Sequence, residues 1–148
     1  MGKYFEEFSI GDVFTTPKRT ITRDDIATFA TLSGDHNPLH VDEVFAMQSM
    51  HGGIISHGPM LVGITFGLLS EIDLIDGTVL ALKDLQWNFK APVRPDDTVY
   101  VRCEISNVYR SKKRNDCGTI TLALDMFNQQ SACVQKGQAS CLMACRKV

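Results

Sequence analysis

The sequence predicts an α+β fold, in which one buried helix packs against a mostly antiparallel, curved sheet. The segment from Gly58 to about Glu71 is apolar on every side, which is typical of a helix that is buried all round. No second long helix pattern follows it. Apolar residues instead alternate in strand fashion over 99–105, 120–126 and 139–145. Strands that follow helices in this way favour an α+β design.

Length and composition limit the classes of protein. The chain has 148 residues, 44% of them hydrophobic and 22% charged, so we expect one globular domain over residues 1–148. A net charge of −2 argues against a general nucleic-acid binder. The longest apolar run, Met60 to Leu69, is far shorter than the roughly 18 residues that span a bilayer. With no apolar leader visible either, we expect a cytoplasmic protein without membrane contact.

The five cysteines are odd in number and include no C-x-x-C pair. A disulfide framework or a cysteine metal site is therefore not expected. Because the cysteines lie in strand-like sequence, we expect them to be small buried hydrophobic residues in a reducing compartment.

The first elements have recognisable boundaries. A turn at Gly11-Asp12 precedes a predicted strand from Val13 to Thr20. Thr22 then suits the N-cap of a helix that has acidic residues in its first turn. Gly34 is expected to end that helix in a left-handed conformation.

Residues 35–56 are irregular apart from a short predicted helix at Glu43 to Gln48, which Asp42 would cap. Irregular segments of this length in small domains are usually functional or flexible. Within the following helix, Gly63 and Gly67 would allow the sheet or a partner backbone to approach closely, or are merely tolerated. A change of apolar phase near Lys83-Asp84 predicts a bulge in the first long strand.

Asp35 and His40 are the candidate catalytic pair. They flank Asn37-Pro38, so a carboxylate and an imidazole lie on one rigid turn, and an acid with a base can move protons at a substrate. An Asx-turn followed by a helix cap would explain the same residues without any catalysis. The local pattern alone leaves both interpretations open.

The longer pattern resembles the signature of the MaoC-like dehydratases and (R)-specific enoyl-CoA hydratases. It comprises Phe29-Ala30-Thr31-Leu32-Ser33-Gly34-Asp35-His36-Asn37-Pro38-Leu39-His40-Val41-Asp42, then Phe45-Ala46, then His57-Gly58. Order and register agree from Thr22 to about Leu69. A weaker likeness continues through residues 88–93 and 96–99.

This resemblance implies a hot-dog fold and (R)-specific hydration of trans-2-enoyl-CoA to (R)-3-hydroxyacyl-CoA, or the reverse dehydration. In the resembled enzymes the residues corresponding to Asp35 and His40 act on one water. No metal or redox cofactor is implied, because CoA arrives as part of the substrate. The resemblance also implies a homodimer with a continuous sheet, in which the acyl chain lies between the subunits.

Three further residues are expected to complete the site. Gly58 would offer its N–H to the thioester oxygen, since a helix N-terminus carries partial positive charge and glycine has no Cβ in the way. We expect this N–H to face the same cavity as Asp35 and His40. Asn37 would mainly hold the turn. His57 would either line the site or cap the helix.

Coenzyme A phosphates need cationic side chains. The strongest basic cluster falls between two strand patterns, where a solvated hairpin tip is the simplest explanation. The candidates for phosphate contact are Lys90, Arg94, Arg110, Lys112, Lys113 and Arg114.

One departure from the family pattern concerns the pocket. Some (R)-hydratases have a serine that supports the catalytic aspartate at the position of Phe66, so substrate size is open. Three rival functions remain: a dehydratase of a branched or dicarboxylic acyl-CoA, a non-catalytic acyl-thioester-binding subunit, and a thioesterase. The last fits the motif least, because the motif indicates water addition at carbon.

Overall fold

The computed structural model describes residues 1–147 and confirms the α+β class. A short 3₁₀ helix at Phe5–Glu7 precedes the main elements. Four helices and six strands follow in chain order, namely β1 (Val13–Thr15), β2 (Arg19–Thr20), α1 (Arg23–Ser33), α2 (Pro38–Val41), α3 (Glu43–Gln48), α4 (Gly58–Glu71), β3 (Val79–Phe89), β4 (Thr98–Arg110), β5 (Cys117–Phe127) and β6 (Cys133–Ala144).

The strands form one antiparallel sheet in the order β1-β4-β5-β6-β3, and β2 also pairs with β4. The alternating patterns are confirmed, because their apolar members are buried in one core with the inward side chains of α4. The predicted continuous strand from Val13 to Thr20 is wrong. It is interrupted at residues 16–18, where Pro17 lacks the N–H that a strand ladder needs.

The strand β3 forms one edge of the sheet and pairs only with β6. Its register shifts between Leu82 and Asp84, which confirms the bulge predicted from the phase change. Most of its side chains are exposed, and these include large apolar residues: Leu80, Leu82, Leu85 and Phe89. The long edge is therefore apolar and unpaired in the single chain.

The helix α4 begins at Gly58 and ends at Glu71, as the sequence predicts. Burial on all sides is wrong, however, for the chain by itself. Met60, Leu61, Thr65, Leu68 and Leu69 point into the core. The opposite face carries Gly63 and Gly67, which are exposed, and an added Cβ at either glycine would meet no other atom within 4 Å. These glycines therefore do not serve close approach to the chain's own sheet.

The helix ends before the motif are set by local chemistry. Thr22 and Asp25 form a reciprocal capping box at the start of α1, and Gly34 ends that helix with φ 78°. Both caps are as predicted, as is the Asp42 cap of α3. The four-residue helix α2 was not predicted. Asn37 caps it and Pro38 begins it, which is the favoured order of these residues.

Across residues 1–147, every helix falls short of the length and hydropathy that a bilayer-spanning helix requires. The five cysteines all lie in this range and carry free thiols.

Burial predicts unreactive thiols in the sheet. Burial raises the pKa of the Cys103 thiol to about 12 and that of Cys141 to about 11. Because only the thiolate attacks, both should resist iodoacetamide at pH 8 in the native protein and react after denaturation. Half-buried Cys133 is the comparison and should react first. Rapid native labelling of Cys103 or Cys141, read by peptide mass spectrometry, would contradict this packing.

Candidate active site

The backbone around Asp35 is held by its own turn. Its N–H donates to Ser33 Oγ at 3.1 Å, and its Oδ1 accepts the Asn37 N–H at 3.1 Å. Asn37 in turn accepts the Leu39 N–H at 3.1 Å. The exposed Asp35 carboxylate is thus fixed through one oxygen and leaves the other available. The expectation that Asn37 shapes the turn agrees with these contacts.

The imidazole of His40 has a defined tautomer. Its Nδ1 lies 2.7 Å from the Ile55 carbonyl oxygen. A carbonyl only accepts, so Nδ1 must carry the proton. In neutral His40 the lone pair is therefore on Nε2. This arrangement, a base oriented through its other nitrogen, is the one that general-base catalysis needs.

His57 joins the turn to the start of α4. It is buried, and its Nε2 donates to the Asp35 carbonyl oxygen at 2.9 Å. Its ring stacks on that of His40 with centroids 3.8 Å apart and also contacts Phe29 at 4.8 Å. His57 occupies the N-cap position of α4, as one alternative expected, but within residues 1–147 its side chain forms no capping hydrogen bond. His57 instead supports both members of the candidate pair.

Asp35, His40 and His57 each offer one ligand-type atom, and these atoms lie within 4.8 Å of one another. The ring planes of the two histidines differ by only 28°. Imidazole lone pairs lie in the ring plane, so those of two stacked rings lie in separate, nearly parallel planes, which disfavours their convergence on one ion. The arrangement suits proton handling better than metal coordination.

Gly58 is the first residue of α4. Among residues 1–147 its N–H has no acceptor, as expected for the first turn of a helix. The ring of Phe89 lies where a side chain would begin, 2.8 Å from the ideal Cβ position. A side chain here would require the Phe89 ring to move, and the Gly58 N–H keeps its partial positive charge available.

The cavity beside Gly58 has a volume of about 420 Å³. It is lined by His51, Ile55, Ser56, Gly58, Pro59, Leu61, Phe89, Lys90, Ala91, Pro92, Val93 and Gln135. Asp35 and His40 do not line it, so the expected shared cavity is not formed by the single chain. His40 instead borders a smaller cavity of about 220 Å³. Ile55, whose carbonyl holds His40, lines the larger cavity.

The candidate phosphate ligands divide into two groups. Lys90 lines the Gly58 cavity, and the Arg94 guanidinium donates to the His51 carbonyl at its rim. The basic cluster of Arg110, Lys112, Lys113 and Arg114 lies instead at the hairpin between β4 and β5.

This hairpin is at the other end of the sheet. The register pairs Cys117 with Ala144, whereas the cavity residue Gln135 pairs with Met126. At ~3.3 Å per residue, the distance along β6 from Gln135 to Ala144 is roughly 30 Å. Arg114 also pairs with Asp116, and Arg110 with Glu6. One protomer does not bring this cluster to its own Gly58.

Comparison with known proteins identifies the family. The sequence model described as "MaoC like domain" matches residues 6–126. The chain belongs to the MaoC-like family. An (R)-specific enoyl-CoA hydratase of Rhodospirillum rubrum is 34% identical over 110 residues, 74% of each protein. A 3-hydroxybutyryl-CoA dehydratase of Methylorubrum extorquens is 33% identical over 111 residues, 75% of this chain and 69% of that protein. Both relatives are hydro-lyases by name.

Family members differ in length. "Protein MaoC" of Klebsiella aerogenes is 42% identical over 101 residues, which are 68% of this chain but only 30% of that protein.

Solved MaoC-like structures share the whole architecture. A MaoC-like dehydratase from Rhodospirillum rubrum superposes with a TM-score of 0.90 at 27% identity, covering 99% of this chain and 100% of the other. The (R)-hydratase of Aeromonas caviae gives 0.76 at 28% identity over 92% and 97%. A Mycobacterium tuberculosis protein with a double hot-dog fold gives 0.87 over 98% of this chain and 45% of the other, at 19% identity. The predicted hot-dog fold is confirmed.

Two contributors to the site were not predicted. The Ile55 carbonyl that fixes His40 has no sequence signature, because any residue supplies a carbonyl. Gln135 follows residue 58 by 77 positions, and only the paired sheet brings it to the cavity. Phe66, at the family's serine position, is half-buried on α4.

The His57 contact can be tested by stability. His57→Phe keeps a ring between Phe29 and His40 but leaves the Asp35 carbonyl without its donor. Loss of one such hydrogen bond should lower the free energy of unfolding by about 1 kcal/mol, measured by urea titration. The control His36→Phe changes an exposed loop histidine and should have little effect. Equal effects of the two substitutions would contradict the assigned contact.

Proposed function

We propose that this MaoC-like hydro-lyase adds water to trans-2-enoyl-CoA to form (R)-3-hydroxyacyl-CoA, or catalyses the reverse dehydration. Asp35 and His40 act as the catalytic pair, and the Gly58 N–H is the carbonyl stabiliser. The observation that carries the proposal is the fixed tautomer of His40, which leaves Nε2 as a base. His57, the residue before Gly58, is bonded to the Asp35 carbonyl and so connects the same turn to the start of α4.

The reaction follows from these groups. The free Asp35 oxygen and His40 Nε2 hold one water between them. Nε2 takes a proton as the water oxygen bonds to the β-carbon. The π electrons move toward the thioester oxygen, which the Gly58 N–H stabilises as an enolate-like anion. The proton then passes to the α-carbon on the same face, so water adds syn. No metal or redox step is needed to balance this reaction.

The cavity at Gly58 and the open face at Asp35 fit two parts of the substrate. The cavity at Gly58 contains Lys90 and has Arg94 at its rim, which suits the phosphate-bearing CoA portion. Asp35 is exposed and is not enclosed by the single chain. The acyl chain therefore extends over an open face that needs a cover.

A second copy of the chain is the proposed cover. The β3 edge exposes Leu82, Leu85 and Phe89 beside unpaired strand hydrogen-bonding groups, and such an edge is a template for pairing with another chain. The exposed face of α4 carries Gly63 and Gly67, four residues apart, which permits a partner backbone to approach. A homodimer that pairs β3 edges would bury both features and close the acyl side of the site.

Removal of either catalytic group should abolish most activity. Asp35→Asn and His40→Gln should each lower turnover of crotonyl-CoA by about two to four orders of magnitude. The double variant should be little worse, because both groups act on one water. Turnover is measured as loss of the conjugated enoyl absorbance. His36→Gln is the matched control and should retain activity.

Other outcomes distinguish other functions. Retention of more than roughly a tenth of the activity by either single variant would remove that residue from the mechanism. Release of free thiol would indicate a thioesterase. No reaction across enoyl thioesters of varied length, branching and carrier would indicate a binding subunit.

The product should have the (R) configuration. Water held on one face by Asp35 and His40 can attack only that face, and the relatives are named for this stereochemistry. Coupling to a strictly (S)-specific hydroxyacyl dehydrogenase should give no NADH, whereas an (R)-specific dehydrogenase should. A strong signal with the (S)-specific enzyme would refute the assignment.

The dimer should depend on β3. Leu82→Asp places a charge on the exposed edge and should shift the molar mass measured by light scattering toward the 16.4 kDa monomer. The control Leu32→Asp charges an even more exposed apolar residue on α1 and should leave the mass unchanged. A wild-type protein that remains monomeric would refute the proposed cover.

A further inference from the structure

One buried amide outside the motif contacts the candidate oxyanion donor. The side chain of Gln135, on β6, is only 2% exposed. Its Nε2 donates to the Gly58 carbonyl oxygen at 3.2 Å. The partner of this bond is therefore the same residue whose N–H faces the cavity. Burial makes the bond costly to lose, because a stranded amide would have no water to replace it.

A hydrogen bond from Trp87 fixes the orientation of the Gln135 amide. Trp87 Nε1 donates to Gln135 Oε1 at 2.9 Å. An indole N–H is only a donor, so Oε1 must face Trp87 and Nε2 must face Gly58. The two ends of the amide are thereby assigned by chemistry, and neither is left unpaired.

Gly137, which lies opposite Trp87 on β6, leaves room for the indole ring. Trp87 pairs with Gly137 across β3 and β6. A Cβ at Gly137 would lie 2.1 Å from Trp87 Cε3, so any other residue would displace the indole. Gly137 lets the ring lie flat across β6, and only there can its N–H reach Gln135.

We propose that Gln135 is a positioning residue for catalysis, which sets the direction of the Gly58 N–H through the Gly58 carbonyl. The inference rests on the proposed function of Gly58. The amide of Gln135 clamps one side of this glycine to the sheet, and the Phe89 ring packs where its side chain would be. Together they fix the backbone torsions of a residue that has no Cβ to restrict them.

A donor of this kind matters most when the oxygen is negatively charged. The donor must lie about 2.7–3.1 Å from the developing anion, and the Gln135 bond adds a restraint on Gly58 beyond that of the helix. Loss of the clamp should therefore lower kcat and leave KM nearly unchanged. A purely structural residue would instead alter stability without this selectivity.

The matched variants are Gln135→Met and Gln138→Met. Both change a glutamine of β6 to a side chain of similar length, but Gln138 is exposed. Gln135→Met should lower kcat for crotonyl-CoA by about tenfold or more, since removing an oxyanion donor outright costs 10²–10³, with KM within about twofold. Gln138→Met should match the wild type.

Trp87→Phe keeps a ring over Gly137 but removes the indole donor. Its effect should be in the same direction and smaller, because the amide is then free to turn. The double variant Trp87→Phe, Gln135→Met should be no slower than Gln135→Met alone, as expected for two residues that act through one contact.

The position of the N–H can be followed without any turnover. Only Gly52 and Gly58 follow a histidine in the sequence. Labelling His carbonyls with ¹³C and Gly amides with ¹⁵N therefore gives two NMR correlations, and Gly52 is an internal reference. Gln135→Met should shift or broaden the Gly58 signal only, and Gln138→Met should move neither.

The two readouts separate this inference from the proposed function. If the wild type hydrates no enoyl thioester, the proposed function fails, while the Gly58 signal still decides whether Gln135 fixes this N–H. An unchanged Gly58 signal with wild-type kcat in folded Gln135→Met would overturn the positioning role. If Gln135→Met does not fold, the same comparison is made with Trp87→Phe.

Discussion

The hydrogen bond from His57 to the Asp35 carbonyl connects the two halves of the site. It links the turn after α1 to the start of α4, and the stacked rings of His57 and His40 bring the candidate base to the same place. His57 is buried, and loss of the bond would leave the Asp35 carbonyl without this donor. Placement of a carboxylate, a base and a helix N-terminus within one region depends on this contact.

The sheet fixes the orientation of α4. The sheet buries one side of the helix, and Gln135 holds its first residue from β6. The N–H of Gly58 then points away from the helix with the partial charge of the dipole behind it. The exposed face of α4 and the β3 edge remain uncovered, so the single chain presents an open region at Asp35 together with an apolar surface.

Local signals predicted the local structure well. Thr22, Gly34 and Asp42 correctly predicted helix ends, and the change of apolar phase near Asp84 correctly predicted a bulge. Helix caps and bulges depend on only a few neighbouring residues, so a short stretch of sequence predicts them. The prediction that α4 is buried on all sides was wrong for the single chain. An apolar helix face can be buried against a second chain as well as against the sheet of its own chain. The prediction of a continuous strand through Pro17 was also wrong, because it did not take into account that proline has no N–H for the strand ladder.

The candidate site was predictable only in part. Asp35, His40 and Gly58 were available from the family motif. The Ile55 carbonyl depends instead on how the irregular segment before α4 folds back onto His40, and the Trp87–Gln135 contact depends on pairing of strands 48 residues apart. The expected shared cavity also failed for one chain, since Gly58 and His40 line different cavities. The spacing of residues in the sequence does not determine whether two groups line the same cavity.

The most direct test of the account is a crystal structure of the Asp35→Asn variant with crotonyl-CoA bound. The thioester oxygen should lie about 2.7–3.1 Å from the Gly58 nitrogen. The β-carbon should face a water held between residue 35 and His40 Nε2, and the acyl end should lie against the second protomer. A ligand whose enoyl carbons are remote from His40 while its thioester occupies the Gly58 cavity would contradict the claim that these residues form one site.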